Sequence, residues 1–401
     1  MKVVQINTTC GSGSIGKICV GISKVLNSNG IENYVLYSTG NSNYSGAIKC
    51  TEALPKLQAL RSRVLGNYGF NSSRTTRRMI EELDRIQPYI VHLHNLHGHN
   101  CNLDMLMNYF REKKTKLFWT FHDCWAFTGY CPYYDMVACT QWKDAGCHDC
   151  PQKKRYTWFF DRSAMLFEKK KQLLSGLDLT IITPSQWLAD QVKMSFLKDI
   201  PVKVIYNGID LDIFQSRESK FREKYHISED KTILLGVAIQ WVRRKGADVF
   251  IRLAKRLDPE KFQIVMVGTD ETVDKLLPEN VISIHRTENQ TQLAEIYSAA
   301  DLFVNPTREE VLGMVNIESL ACGTPVLTFR TGGSPECVDE RTGAVVDCGD
   351  EEAMYQAILK IAEEKPFSPE DCRMRAQQFS EEDKFFEYYK LYEQAANDRL
   401  K

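Results

Sequence analysis

Short runs of β-branched and aliphatic residues recur along the chain. They are separated by stretches in which apolar residues return every three or four positions. Lys2–Asn7, Tyr34–Tyr37, Ile90–His94, Leu117–Phe121 and Leu179–Thr183 predict strands in the first half. Val202–Tyr206, Ile233–Val237, Gln263–Val267, Val281–Ile284, Leu302–Asn305 and Val326–Phe329 predict strands in the second. Thr75–Ile86, Ala247–Leu257, Gln292–Ala299 and a last segment, Phe379–Asn397, carry the helical period. Alternating strand and helix implies parallel sheets with right-handed crossovers. Eleven strands exceed one simple doubly wound domain, and 401 residues suit two. The break is expected in "VIYNGIDLDIF" (204–214), where Asn207-Gly208 signals a turn and a short charged segment, Glu218–Asp230, follows. The expected order is a Rossmann-like domain at 1–203 with a Cys-rich insert at 124–151, a second such domain at 204–378, and a helical segment, 379–401, packing back towards the first. Ligands of open parallel sheets collect beyond the carboxyl ends of the strands, so two such sheets facing each other would line one deep cleft.

Composition adds limits. The chain is 43% hydrophobic and 26% charged, and no run of about 18 apolar residues offers a membrane-spanning helix. The start, MKVVQINTTCGSG, is too short in apolar residues for a secretory signal and reads as a first strand. Thirteen cysteines without an export signal point to a reducing cytoplasm. Net charge is −1, but residues 1–200 hold 25 Lys and Arg against 16 Asp and Glu, a net of +9, and residues 201–401 hold 26 against 36, a net of −10. A basic first half suits anionic lipid or a phosphate-bearing acceptor. Arg61, Arg63, Arg74, Arg77 and Arg78, with "KKRYTWFF" (153–160), mix cations and aromatics as the headgroup layer of a membrane favours. The expected location is cytoplasmic, with peripheral contact at the anionic inner leaflet; no nucleic-acid partner is expected.

Several motifs then carry chemistry. "CGSGSIGKI" (10–18) follows the first strand and opens a helix, so Gly11, Gly13 and Gly16 would let backbone approach a phosphate. No acid closes the second strand, where Ser38-Thr39-Gly40 follows, and this disfavours a nicotinamide enzyme. "VHLHNLHGHN" (91–100) sets His92, His94, His97 and His99 at a strand end; His92 and His94 share a face, and the group suits a polar cleft better than a metal. "WTFHDCW" poises His122 to hydrogen-bond a hydroxyl or carbonyl. Cys131, Cys139, Cys147 and Cys150 lie within twenty residues and end in C-x-x-C, a zinc half-site; a structural Zn(II) competes with plain buried thiols. "WVRRKG" (241–246) places Arg243, Arg244 and Lys245 at a strand end, where cations can hold a diphosphate and neutralise a leaving group.

The stretch "EEVLGMVNIESLACGTPVL" (309–327) sets Glu310 and Glu318 eight positions apart. On one helix they would be turned by about 80° and separated by about 12 Å, too far for an acid/base pair. Gly313 argues against helix early on, while "NIESLACG" reads as helix ending at Gly323. Glu310 then sits in a loop and Glu318 in the helix, with the amides of Gly313, Met314 and Val315 between them where an anion could rest. A ligand with hydroxyls at both ends and phosphates in the middle, such as a nucleotide-sugar, suits that spacing.

At these residues the chain resembles the family 4 glycosyltransferases. "EEVLGMVNIESLACGTPVLTF", "TGGSPE" and "AEIYSAADLFVNPT" look like their C-terminal signature, and "YNGID", "TPSQW", "FHDCW" and the first Gly-rich turn fit as well. The likeness runs from about residue 3 to 350. The insert after "HDCWAFTG" resembles a branch found in capsule, O-antigen and exopolysaccharide assembly, including colanic-acid-type enzymes. The resemblance implies a GT-B fold of two Rossmann-like domains and a cleft, retention of anomeric configuration, and no metal requirement for catalysis. Carried over, Glu310 would hold donor-sugar hydroxyls and Glu318 the ribose. Lys245, with Arg243 or Arg244, would stabilise the departing diphosphate, and His122 would contact the donor sugar. Gly16 would approach the diphosphate from across the cleft, and His94, Asn95 and His97 would meet the acceptor. The chain departs from the pattern where many members carry an Arg five or six residues before the Lys: here stand Gln240 and Ile239. Two other classes remain open. A nucleotide-sugar epimerase or hydrolase would consume donor without acceptor, and a non-catalytic sensor would bind donor without turnover.

Overall fold

The structure is a computed structural model that describes residues 1–51 and 55–399. The chain divides into two compact units, Met1–Tyr206 joined by Glu382–Lys401, and Asn207–Glu381.

The first unit carries seven parallel strands: β1 (Lys2–Asn7), β2 (Glu32–Tyr37), β3 (Ala47–Lys49), β4 (Ile90–Leu93), β5 (Lys116–Thr120), β6 (Leu179–Thr183) and β7 (Val202–Val204). They lie in the order β3-β2-β1-β4-β5-β6-β7. β1 pairs with β2 from Lys2↔Glu32 to Asn7↔Tyr37 and, on its other side, with β4. β1, β4, β5 and β6 are buried almost throughout because helices cover both faces of the sheet, as parallel strands require. One layer of that cover is the C-terminal helix Glu381–Arg399. Its Phe385, Tyr388 and Tyr392 share a core with Val3, Ile18, Ile22, Ile90, Phe118 and Ile182.

The second unit carries six parallel strands: β8 (Thr232–Val237), β9 (Phe262–Val267), β10 (Val281–Ile284), β11 (Leu302–Asn305), β12 (Val326–Phe329) and β13 (Gly343–Val346). Their order is β10-β9-β8-β11-β12-β13. Counted from its own first strand, the second sheet therefore runs 3-2-1-4-5-6, the doubly wound order, and the first runs the same way with a seventh strand added at its edge. Leu234, Phe250, Leu253, Met266, Val304, Leu327, Met354 and Ile358 form the core beneath the second sheet.

Every one of the eleven expected strands is present, with ends shifted by up to two residues. β3 and β13 are additional. The loop after β8 ends in Gly246, whose φ of +80° and closeness to the Pro306 carbonyl, 2.5 Å from where a Cβ would lie, admit little but glycine.

Candidate active site

Chain order reverses between β1 and β4 in the first sheet and between β8 and β11 in the second. In such sheets the crevice beyond the strand ends at this switch point is the ordinary ligand site. The residues singled out from the sequence collect there, separately in each unit.

In the first unit, Gly11 and Gly13 take φ of +75° and +67°, and the Gly11 amide donates to the Gly16 carbonyl at 2.9 Å. A Cβ on Gly16 would lie 2.7 Å from Thr9 Oγ1. The turn is thus closed on itself, and the helix Gly13–Ser28 begins with no side-chain cap, leaving its first amides open to an anion. Beyond β4 and β5 lies a cluster of imidazoles. His94 Nδ1 and His122 Nε2 are 3.1 Å apart, and the two rings are stacked at 18°. His97 Nε2 meets Asp123 Oδ2 at 2.6 Å, and its Nδ1 meets the Tyr68 hydroxyl at 3.0 Å. Burial raises the Asp123 carboxyl, but the charge and hydrogen bond of His97, with the Trp125 amide, carry it below the ordinary range. Burial pulls His122 down to about 4 despite the nearby Asp123 charge, so its imidazole is neutral at pH 7.

His94 is not placed to touch an acceptor as expected. It is 2% exposed, and both ring nitrogens are taken, by His122 and by Gln5 Oε1 at 3.0 Å. His97 likewise spends both nitrogens within the protein. Asn95 orders the turn, accepting the His97 amide on its side chain and the Asn100 amide group on its carbonyl. His92 is core: fully buried, it bonds Thr120 Oγ1 at 2.7 Å and the Tyr392 hydroxyl.

In the second unit, Arg243–Lys245 form a short turn after β8. Lys245 Nζ pairs with Glu310 Oε2 at 2.5 Å, both side chains largely buried. The Arg244 guanidinium donates to the Glu309 carbonyl, while Arg243 is exposed and makes no side-chain bond to a described residue. Ile239, in the same loop, is 94% exposed. The loop holding Glu310 is pinned from behind by Gly332, where a Cβ would lie 1.6 Å from the Glu310 carbonyl. Gly313, with φ of +90°, turns the chain into the helix Met314–Ala321, which again has no side-chain cap. The hydroxyls of Ser334 and Thr331 are buried without a hydrogen-bond partner. Ser334 Oγ lies 3.2 Å from where a Gly313 Cβ would sit, so it adds a spare donor beside the helix entrance. Glu318, in the second turn, accepts from the Tyr297 hydroxyl at 3.2 Å.

Residues 16–213 match the Glycosyltransferase Family 4 profile and residues 230–364 match the Glycosyl transferases group 1 profile, together most of the chain. The chain belongs to glycosyltransferase family 4. This transferase is 23% identical over 389 residues, 89% of each chain, to WcaC of Escherichia coli (strain K12), which is assigned to colanic acid biosynthesis as a glycosyl transferase. Its fold is that of sucrose-phosphate synthase from Thermosynechococcus elongatus (TM-score 0.72, 18% identity, 99% of each chain). It is also that of Anabaena HepE solved with UDP and glucose (TM-score 0.69, 13% identity, 98% of this chain and 100% of that one).

Two parts of the transferase depart from what its sequence suggests. Of the two readings open for the four thiols, a zinc site and plain thiols, the structure favours the second: among the described residues no group of three or more His, Cys, Asp or Glu side chains is placed to hold a metal ion. Burial instead pushes Cys131 up to about 12 and Cys147 up to about 11, and the Gly129 amide donates to Cys147 Sγ. Nearby, the fully buried Lys170 aims its ammonium at the carbonyls of Trp125, Thr128 and Gly129 (2.6, 2.8 and 3.3 Å) and sits over the Trp125 ring. Burial pulls Lys170 down to about 7, and the three carbonyls that accept from it tie down the loop that carries His122. Lys170 is one of three lysines in "EKKKQ", and no local signal distinguishes it. Gln5 did have a signal: it is an amide in the middle of an apolar strand, and a buried amide must be paired.

Proposed function

We propose that this transferase moves a sugar from a nucleotide-diphosphate-sugar to a glycan acceptor carried on a lipid, in the assembly of a surface polysaccharide. The observation that carries the reading is the Lys245–Glu310 pair beside the uncapped helix Met314–Ala321. In this reading Glu310 accepts from sugar hydroxyls, Lys245 and the unengaged Arg243 neutralise the departing diphosphate, and Glu318 accepts from ribose hydroxyls. The open amides of Gly313, Met314 and Val315 take the phosphates. HepE holds UDP and glucose, which supports a uridine or similar diphosphate donor. In the reaction the bond from the anomeric carbon to the phosphate oxygen breaks and the acceptor hydroxyl oxygen bonds to that carbon. The hydroxyl proton passes to the departing phosphate, so retention needs no protein nucleophile. The cations supply the charge a metal would otherwise bring, so none is required for this step.

The lipid acceptor and contact with an anionic leaflet are supported by the surface of the first unit. Trp158, Phe159 and Phe160 are 54, 65 and 59% exposed, and Leu57 and Leu60 are exposed on the neighbouring helix Pro55–Leu65. The Trp158 amide donates to the Arg63 carbonyl, which joins the two segments. Exposed Arg61, Arg63, Lys153, Lys154 and Arg155 surround them. Adjacent exposed aromatics among cations suit the interface of an anionic bilayer. Among the described residues no helix is long and apolar enough to cross a membrane.

A thermal-shift screen of nucleotide-diphosphate-sugars, followed by transfer assays with the stabilising donor, tests the proposal. Acceptor-dependent release of nucleoside diphosphate is expected. Donor breakdown that ignores acceptor would replace the reading with hydrolysis or epimerisation. For the membrane arm, flotation with vesicles of 30% anionic lipid should fall about tenfold for Trp158→Ser/Phe159→Ser/Phe160→Ser; equal flotation with neutral vesicles would remove the electrostatic part.

A further inference from the structure

Gln5 is fully buried in β1, and its amide orientation is fixed by chemistry. Its Nε2 lies 2.9 Å from the Cys19 carbonyl and 2.8 Å from Ser23 Oγ. A carbonyl oxygen can only accept, so the amide nitrogen must face Cys19, and Oε1 must face His94 Nε2, 3.0 Å away. Oε1 also can only accept, so His94 Nε2 carries a proton. His94 is 2% exposed, and its two ring partners, Gln5 and His122, are not acids. Burial therefore keeps it neutral. A neutral imidazole has one N–H, which leaves His94 Nδ1 as a lone pair. His122 Nε2, 3.1 Å from that lone pair, must be the donor. His122 then has its own single proton on Nε2 and a bare Nδ1, which makes no hydrogen bond to a described residue.

We infer that Gln5 and His94 are positioning residues that fix the tautomer of His122, so that it meets a ligand as a hydrogen-bond acceptor at Nδ1. An acceptor selects a hydroxyl and turns away a bare phosphate or carboxylate oxygen, which has no proton to give. In a nucleotide-sugar the group it can take is on the sugar, not on the diphosphate. His97 and Asp123 flank His122, and His92 lies against His94 with ring centres 4.0 Å apart and the rings tilted by 41°, but none of them hydrogen-bonds to the Nδ1 side. This inference rests on the reading of His122 as a ligand contact only for its effect on turnover; the tautomer itself follows from the buried chain of donors and acceptors.

The test is long-range 1H–15N correlation spectroscopy on 15N-histidine-labelled full-length protein at pH 7. His122 is assigned by the signals lost in His122→Gln. A pyridine-type, unprotonated Nδ1 and a pyrrole-type Nε2 are expected, and a protonated Nδ1 would overturn the inference. Gln5→Glu supplies the second arm. A carboxylate on His94 Nε2 favours the His94 imidazolium, whose Nδ1–H would donate to His122 Nε2 and drive the His122 proton to Nδ1. The His122 signals should exchange type, and kcat/KM should fall by about a hundredfold with KM for donor rising. A folded Gln5→Glu protein with the wild-type His122 signature would also overturn the inference. If that variant does not fold, the wild-type spectrum decides alone. Absence of sugar transfer by the wild type would remove the proposed function and leave the tautomer result standing, so the two failures are distinguishable.

Discussion

The two units wind their strands in the same order yet arm the switch point with opposite chemistry. Along β1, β4 and β5 and just beyond them the first unit gathers neutral imidazoles, a buried amide and hydroxyls, whose hydrogen bonds determine who donates and who accepts. After β8 and β11 the second unit sets a lysine against a glutamate at 2.5 Å, with further arginines around them. A shared scaffold therefore does not fix function; the loops that follow corresponding strands do. The first unit presents mainly neutral hydrogen-bonding groups there, and the second an ion pair.

The comparison can be broken most strongly on the charged side. Glu310→Ala should lower kcat by about 10²–10³, and Lys245→Ala by a similar factor. The double variant should be little worse than the poorer single, because the two side chains act as a pair. Strict additivity in that cycle would show that they act separately. On the neutral side the largest expected effect is on stability. Lys170→Met strands three carbonyls and should cost about 3 kcal/mol or more, read by denaturant unfolding; a loss below about 1 kcal/mol would mean that water replaces the ammonium. Gly332→Ala has to move the Glu310 backbone, and strain of about 1–3 kcal/mol should appear together with a loss of activity. Stability lost without activity would show that the loop relaxes back.

Acid sharpens the contrast most gently. His92, His94 and His122 are held below the ordinary imidazole range by burial. Between about pH 6.5 and about 4 the unfolded chain binds protons that the folded chain refuses, so stability must fall as pH falls through that window. Tm measured from pH 7 to 4 should decline. His92→Phe, which removes one of these groups, should flatten the decline, and an unchanged slope would show that His92 is not among the groups responsible.

Much of this was legible in the sequence, for identifiable reasons. Strands buried on both faces must be apolar runs, which is why β1, β4, β5 and β6 stood out. β3 and β13 are as short and as partly buried as β7 and β10, but β7 and β10 begin and end on β-branched residues, whereas β3 reads Ala-Ile-Lys and β13 opens on Gly-Ala. The placing of Glu310 in a loop and Glu318 in a helix followed from Gly313 as a residue that argues against helix, and it takes φ of +90° at the helix entrance. The histidines at the strand end were visible as a cluster, but their division of labour was not. Whether His94 meets a ligand or supports His122 depends on Gln5, 89 residues away, and spacing along the chain carries no such information. The thiols near the C-x-x-C were read by spacing alone. Their burial, and the lysine that ties down the adjoining loop, arise only from tertiary packing.

The central claim is that the charged pair and the imidazole cluster serve one reaction, transfer of a sugar from a nucleotide-diphosphate donor to an acceptor hydroxyl. The most direct measurement is mass spectrometry of donor, acceptor and nucleoside diphosphate in one reaction with wild-type, Glu310→Ala and His122→Ala proteins. The account predicts one nucleoside diphosphate released per glycosylated acceptor in the wild type, and both products lost together in each variant. Donor consumed with no glycosylated acceptor, or full turnover by Glu310→Ala, would contradict it.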